Sequence, residues 1–469
     1  MKYIKFKTVM LALVAILNAC TVSQDLETPP QELPEGFRND AGIDSLGIGE
    51  LPWKFFHTDP FLRTLIDSGL VHNADMMVAL NNLEASNLQL QQARWGNIPE
   101  VGFQLQASIA RPSDNSLNGL NLKPLGQKHI ESYTSAFSIS WEADIWGKIR
   151  NEKRAALAAY LQTKEARRGI QTRLVAAIAE GYYNLLILDH QVNIAERNLK
   201  LRDTTLRLFQ LQYDAGEIAI VGVQEAEAQR LTAAEIIAQL HQARSLQENV
   251  LSLLLGRLPD TIHRSGSLPT TTLSRNLAAG LPVAMVSRRP DVKSRELALI
   301  VANAQVGIAK AQMYPSLRIT AIGGEEAFRF SNWFNIPASL FGVAAGSVLQ
   351  PVLQQRRLKT QHKIAQIERV TAVIRFRQSV LIAVREVSDA LVEIKQSELR
   401  AGIAEERLKA LQGAVHNAQL LFQNGQATYL EVLTAQSSLL QSELELANTK
   451  REQLAAAVEL YRSLGGGWK

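Results

Sequence analysis

Tyr213-Asp214-Ala215-Gly216-Glu217 returns 209 residues later as Phe422-Gln423-Asn424-Gly425-Gln426. In each stretch an aromatic residue ends a long proline-free run, and a glycine follows three positions on. Glycine just past a helical pattern supplies the left-handed residue that a tight reversal needs. Before the first turn, Arg150 to Tyr213 lacks proline. Leu174, Ile178, Gly181, Leu185, Leu188, Val192, Ala195 and Leu199 there fall at spacings of four and three. That is the rhythm of helices packed side by side. Val380, Val384, Val387, Leu391 and Ile394 keep it before the second turn, and no proline follows Pro351. At ~1.5 Å per residue the first run makes a rod of about 96 Å. Returning helices are expected over about 222–255 and 428–464.

The correspondence extends beyond the turns. Gly147-Lys148-Ile149-Arg150 aligns with Arg356-Arg357-Leu358-Lys359 at the same offset. Upstream the offset is 216, pairing Asp75 with Asp291, Asn87 with Asn303 and Pro99 with Pro315. An offset that changes once, by seven, describes two copies of one unit separated by a loop indel. A unit this long is too large for a solenoid, so the expectation is two structural repeats, 60–280 and 281–469.

Each repeat carries a pair of alternating segments ahead of its rod. Val101, Phe103, Leu105, Ala107 and Ile109 alternate with Gly102, Gln104, Gln106 and Ser108. Tyr133, Ser135, Phe137, Ile139 and Trp141 do the same, with loop-like residues 111–130 between the two segments. Leu317–Ala321 and Phe341–Leu349 repeat the arrangement, around a shorter loop from Arg329 to Pro337. Period-two patterning of this length predicts four strands of about ten residues.

Strands of ~9–11 residues suit a tilted crossing of a bilayer, and no apolar stretch is long enough to cross as a helix. Four strands cannot close a barrel, and unpaired edges cannot face lipid, where each orphaned backbone group costs several kcal/mol. Copies must therefore pool their strands. Two copies give a plugged tube, whereas three give twelve strands and a lumen.

The ends and the composition narrow the class. Lys2, Lys5 and Lys7 precede an apolar run from Val9 to Leu17 and then Leu17-Asn18-Ala19-Cys20, so residues 1–19 read as an export signal. Cys20 is the only cysteine, which excludes intrachain disulfides and cysteine-based metal clusters. The segment resembles a bacterial lipobox, in which the thiol at Cys20 takes a covalent diacylglyceryl lipid and becomes the mature N-terminus. Residues 20–59 then form a lipidated tether, rich in Pro and Gly over residues 21–52. The formal charge of +5 falls to about +2 without the three signal lysines, and no basic cluster is interleaved with aromatics. Nucleic acid is therefore not an expected partner.

Trp141-Glu142-Ala143-Asp144-Ile145-Trp146-Gly147, Arg289-Pro290-Asp291-Val292, Ala302-Asn303-Ala304-Gln305-Val306-Gly307, Tyr314-Pro315-Ser316-Leu317, Tyr429-Leu430-Glu431-Val432-Leu433 and Leu464-Gly465-Gly466-Gly467-Trp468 resemble the TolC-type outer-membrane efflux lipoproteins, the NodT and OprM subfamily. The resemblance covers essentially the whole mature chain. It implies an α+β membrane protein: a homotrimeric outer-membrane β-barrel, four strands per chain, joined to a long periplasmic α-helical barrel. It also implies a passive exit duct for small molecules such as drugs or toxic compounds. The partners implied are a periplasmic adaptor (membrane fusion) protein and an inner-membrane RND-type pump, usually proton-driven. A periplasmic coiled-coil adaptor or scaffold is the alternative, but it would carry a β-sandwich instead of the strand quartet. The duct of a type I protein-secretion system is another, and the lipobox and closing Gly-Gly-Gly-Trp favour efflux over it.

In the resembling family the hairpin tips, here Gly216 and Gly425, meet the adaptor and narrow to a gate. Tyr429, Leu430 and Glu431 are the candidate aperture. Thr434 stands where close relatives place an aspartate, so a looser or more apolar aperture is expected. Glu142 and Asp144 read as acidic groups favouring the next helix N-terminus rather than as a catalytic pair. Arg288 and Arg289 read as structural ion-pair formers. The eight histidines lie at least 15 residues apart, so no short-spaced ligand pair exists. No phosphate loop, dinucleotide fingerprint or nucleophile elbow occurs. Neither catalytic chemistry nor a cofactor is expected, nor a resident metal, and the scattered methionines argue against a dedicated copper or silver path.

Overall fold

The computed structural model describes residues 47–122, 124, 126, 128–264 and 282–469. The export signal, Cys20 and the tether up to residue 46 lie outside the described residues, as does the expected junction at 280/281. The helices are α1 (Trp53–Phe56), α2 (Pro60–His72), α3 (Ala74–Arg94), α4 (Leu117–Leu122), α5 (Lys148–Asp214), α6 (Ile220–Leu254), α7 (Pro282–Arg288), α8 (Pro290–Ala311), α9 (Arg357–Gln423) and α10 (Tyr429–Ser463). The strands are β1 (Glu100–Ala110), β2 (Ile130–Ala143), β3 (Ser316–Ala327) and β4 (Leu340–Leu349). Helices α5 and α9 each have 67 residues, and α6 and α10 each have 35. At ~1.5 Å per residue the longer pair are rods of about 100 Å.

Two compact units divide the chain, and each draws on both sequence halves. Among the described residues, one unit holds Glu84–Leu161 and Glu296–Ile374. Its centre is one antiparallel sheet in the order β1-β2-β3-β4. The register pairs Phe103 with Phe137, Phe137 with Gly323, and Gly323 with Gly342. Among the described residues, no strand lies beside the outer edges of β1 and β4. Register puts Val101, Phe103, Leu105, Phe137, Ile139, Ile319 and Val348 on one face. Gln104, Gln106, Thr134, Ser138, Thr320 and Ser347 lie on the other. Ala136 is buried on the second face, and a Cβ on Gly324 beside it would meet the Ser135 carbonyl at 2.0 Å.

The other unit is helical. Its core joins Leu62 and Ile66 of α2, Ile178, Tyr182 and Leu185 of α5, Leu251 of α6, Val380, Ala383 and Val387 of α9, and Val458 and Leu460 of α10. The expected seam from Leu174 to Ala195 is buried throughout, and Leu199 and Ile394 are half-buried. Arg289 closes the unit, donating to Asp291, to Glu386 at 2.7 Å and to the Ser463 carbonyl at 3.0 Å. Arg288 meets Glu50 at 2.6 Å, so both arginines make the structural pairs expected of them.

Two local expectations need correcting. The tether expected to reach residue 59 is docked well before that point. Ile48, Trp53 and His57 are buried, the Tyr461 hydroxyl donates to the Leu51 carbonyl at 2.6 Å, and Phe56 stacks on Tyr461 at 4.1 Å. Trp53-Lys54-Phe55-Phe56 ends the Pro/Gly composition with an apolar cluster, and burying one such side chain contributes about 2 kcal/mol. Residues 111–130, read as a loop, also contain the six-residue α4.

Candidate functional site

The sheet and the hairpin tips are the two parts of the chain that chemistry singles out. On the sheet, the apolar face is exposed: Val101 is 67% accessible, Phe103 61% and Ile109 70%. Aromatic residues stand at both ends of this face. At the end leading into the helices, Trp141 donates to the Asn97 carbonyl at 2.9 Å. Trp146 stacks on Tyr314 at 4.7 Å and donates to the Pro315 carbonyl at 2.7 Å. At the opposite end Tyr133 packs against Phe330 at 5.6 Å and Trp333 at 5.3 Å. Eight residues separate Trp141 from Tyr133 along β2, about 20 Å of height for a strand tilted ~40°. Two carboxylates stand on this face beside the Tyr133 row: Glu131 accepts from the Tyr133 hydroxyl at 3.2 Å, and Glu325 accepts from Ser135 at 3.1 Å.

At the junction with α5, Asp144 accepts from the Ile149 and Arg150 amides at 2.9 and 3.0 Å. Glu142 takes Lys148 at 3.2 Å. The pair caps a helix N-terminus, as expected of it, where carboxylates are favoured.

Gly216 (φ +76°) and Gly425 (φ +70°) end α5 and α9 alike. In each turn the amide after the glycine returns to a carbonyl five residues back: Glu217 to Gln212 and Gln426 to Leu421, both at 2.8 Å. The two tips are packed together. Phe209, Val223, Ala226, Phe422, Val432 and Leu433 form one cluster, with Tyr429 against it. Gln436 donates to the Thr205 hydroxyl at 3.0 Å, tying α10 to α5. Of the aperture candidates, Tyr429 leans on Phe209 at 5.9 Å, so it is partly fixed. Glu431 accepts from the Thr428 amide at 2.7 Å, capping its own helix. Leu430 is 57% exposed. The tip cluster was not among the residues expected from sequence, although Leu206 and Phe209 continue the four-three rhythm past Leu199.

Among the described residues no group of three or more His, Cys, Asp or Glu side chains could hold a metal ion, and no helix is long and apolar enough to cross a membrane. Residues 65–257 and 281–466 match the family model described as outer membrane efflux protein.

The chain belongs to the outer membrane efflux protein family.

This efflux protein is 28% identical to the probable efflux pump outer membrane protein SepC of Pseudomonas putida, over 98% of this chain and 96% of the relative. It is 26% identical to the cation efflux system protein CusC of Escherichia coli, over 97% of each. Among solved structures it resembles the outer-membrane channel OprN with a TM-score of 0.88, at 24% identity, over 96% of this chain and all of that one. The open state of the Neisseria gonorrhoeae MtrE outer membrane channel superposes with a TM-score of 0.85, at 25% identity, over 96% and 99%. The protein is thus an outer-membrane efflux channel component, mostly helical with one small sheet.

Proposed function

We propose that three copies of this chain pool their strands into a twelve-stranded outer-membrane barrel. The four long helices of each copy would wall a periplasmic helical barrel, giving a passive exit duct for small molecules. One observation carries the reading: the four-stranded sheet has an apolar face bounded by aromatic rows, and two unpaired edges. Unpaired backbone groups in hydrocarbon cost several kcal/mol each, so β1 of one copy must meet β4 of the next. The opposite face, with its Gln, Ser and Thr, then lines the water-filled lumen. Matched 67- and 35-residue helices support the two-repeat organisation.

The energy comes from elsewhere: an inner-membrane pump, reached through a periplasmic adaptor, selects and drives the cargo. Relatives bear names from toluene efflux and from cation efflux. A wide polar tube suits either, so small molecules is the class proposed. Acylation of Cys20 anchors the mature N-terminus in the outer membrane. The tips at Gly216 and Gly425 meet the adaptor, and Leu430 is the aperture residue best placed to act, with Tyr429 and Glu431 shaping its position.

Purified protein should run as a heat-sensitive trimer and conduct ions in planar bilayers. A stable monomer with no channel activity overturns the reading. Leu430→Ala or Glu431→Ala should raise conductance; unchanged conductance in both removes them from the gate.

A further inference from the structure

The β3–β4 connection is a rigid hydrophobic platform. Phe328, Phe330, Phe334 and Ile336 are 80%, 64%, 64% and 62% exposed, while Trp333 between them is 6% exposed. The Ser339 hydroxyl donates to the Asn332 carbonyl at 2.6 Å, its amide to the Asn335 carbonyl at 2.9 Å, and the Glu326 amide to the Ser339 carbonyl at 2.8 Å. Four large apolar side chains are therefore held outward by a braced backbone. A water-exposed loop gains nothing from such a patch.

Register decides which way the platform faces. Tyr133 shares a sheet face with Phe137 and Phe103, whose rings meet at 5.0 Å. Trp333 and Phe330 pack on Tyr133, so the segment folds over the apolar face and away from the one that carries Gln104 and Thr134. It lies at the end of the sheet opposite the strand-to-helix junctions. Its composition is that of a membrane interface: aromatics and aliphatics with one cation, Arg329, at the base. No charged residue follows until Arg356. The first loop, at the same end, carries Arg111, Asp114, Lys128 and His129 instead.

We propose that residues 328–340 seat in the outer-leaflet interface of the membrane around the barrel, with Phe330, Phe334 and Ile336 among the upper acyl chains and Arg329 against anionic headgroups. Aromatic side chains favour this depth, and a basic side chain beside them takes phosphate. The segment is an anchor that fixes how deep the barrel sits, and it leaves the pore mouth open. This rests on the proposed membrane barrel.

Site-directed spin labels at Phe334→Cys and, separately, Phe103→Cys, in acylated protein whose Cys20 thiol is blocked by its lipid, reconstituted into bilayers containing anionic lipid, test it. The expected result is that both labels are relaxed by oxygen and shielded from a water-soluble nickel complex. A label at 103 shielded but one at 334 open to nickel overturns the platform and leaves the barrel intact. Both labels open to nickel sink the barrel reading itself. A second arm measures conductance: Phe330→Ser with Phe334→Ser should leave it unchanged, and an increase would make the segment a lid over the pore.

Discussion

Phe209 of one hairpin and Phe422 of the other meet with ring centroids 5.2 Å apart, so the two tips of a single chain are one packed object. Any outward movement at one tip must carry the other or break this contact. Phe209→Ala should cost about 3–5 kcal/mol locally, because it empties a fully buried site. Hydrogen exchange should accelerate at both turns together. Acceleration confined to residues around Gly216 would mean the tips are independent.

His57 predicts an acid response. Its ring is wholly buried, neither nitrogen has a hydrogen-bond partner among the described residues, and burial, aided by the nearby Arg63 cation, lowers its pKa to about 4. The unfolded chain takes up this proton near pH 6.5 and the folded chain only near 4. Stability from His57 is thus complete above pH 6.5 and declines between 6.5 and about 4, by up to about 3 kcal/mol. His57→Phe should flatten that part of the melting-temperature profile. An unchanged slope places the acid sensitivity elsewhere.

The half-buried carboxylate of Glu386 serves two cations, Arg289 at 2.7 Å and Arg462 at 3.0 Å. Removing it leaves Arg289, 3% exposed, with Asp291 as its remaining acid. Glu386→Gln should destabilise the protein by about 3 kcal/mol in thermal or denaturant unfolding. Arg385→Gln, taken from the exposed pair with Asp389, should cost under ~1 kcal/mol.

Two glycines should respond oppositely to alanine. At Gly466 a Cβ would lie 2.4 Å from the Tyr461 ring, so Gly466→Ala should loosen the Phe56–Tyr461 stack and lower the melting temperature. Gly413, within α9, has nothing within 4 Å of a built Cβ. Gly413→Ala should stabilise by about 0.5–1 kcal/mol.

The elements were largely legible because they are long and their periods are clean. Proline-free runs of about sixty residues carrying a four-three rhythm, with ten-residue alternations, leave little room for another reading, and the turns at Gly216 and Gly425 follow directly. The tip cluster was not legible for a specific reason. Arg202 occupies the seam position between Leu199 and Leu206, and a charged residue there hides the rhythm that runs on to Phe209. The structure buries Arg202 to 3% and satisfies it with Asn198 at 2.8 Å and Gln229 at 2.9 Å. The Tyr133, Phe330 and Trp333 row was equally hidden, since it joins residues almost 200 positions apart through strand pairing. The docking of Ile48 and Trp53 escaped because Pro/Gly composition dominated their neighbourhood.

The bare outer edges of β1 and β4 have a genetic corollary. A copy with proline at Gln104 or Ala344 would still fold its helices, yet it would spoil one of the two seams it shares, enough to break the ring. Expressed beside the normal allele, it would poison most of the rings it joined. Only the minority assembled wholly from intact subunits would remain sealed, so such an allele should behave as dominant and leave the cell more drug-sensitive than a null on one of two copies.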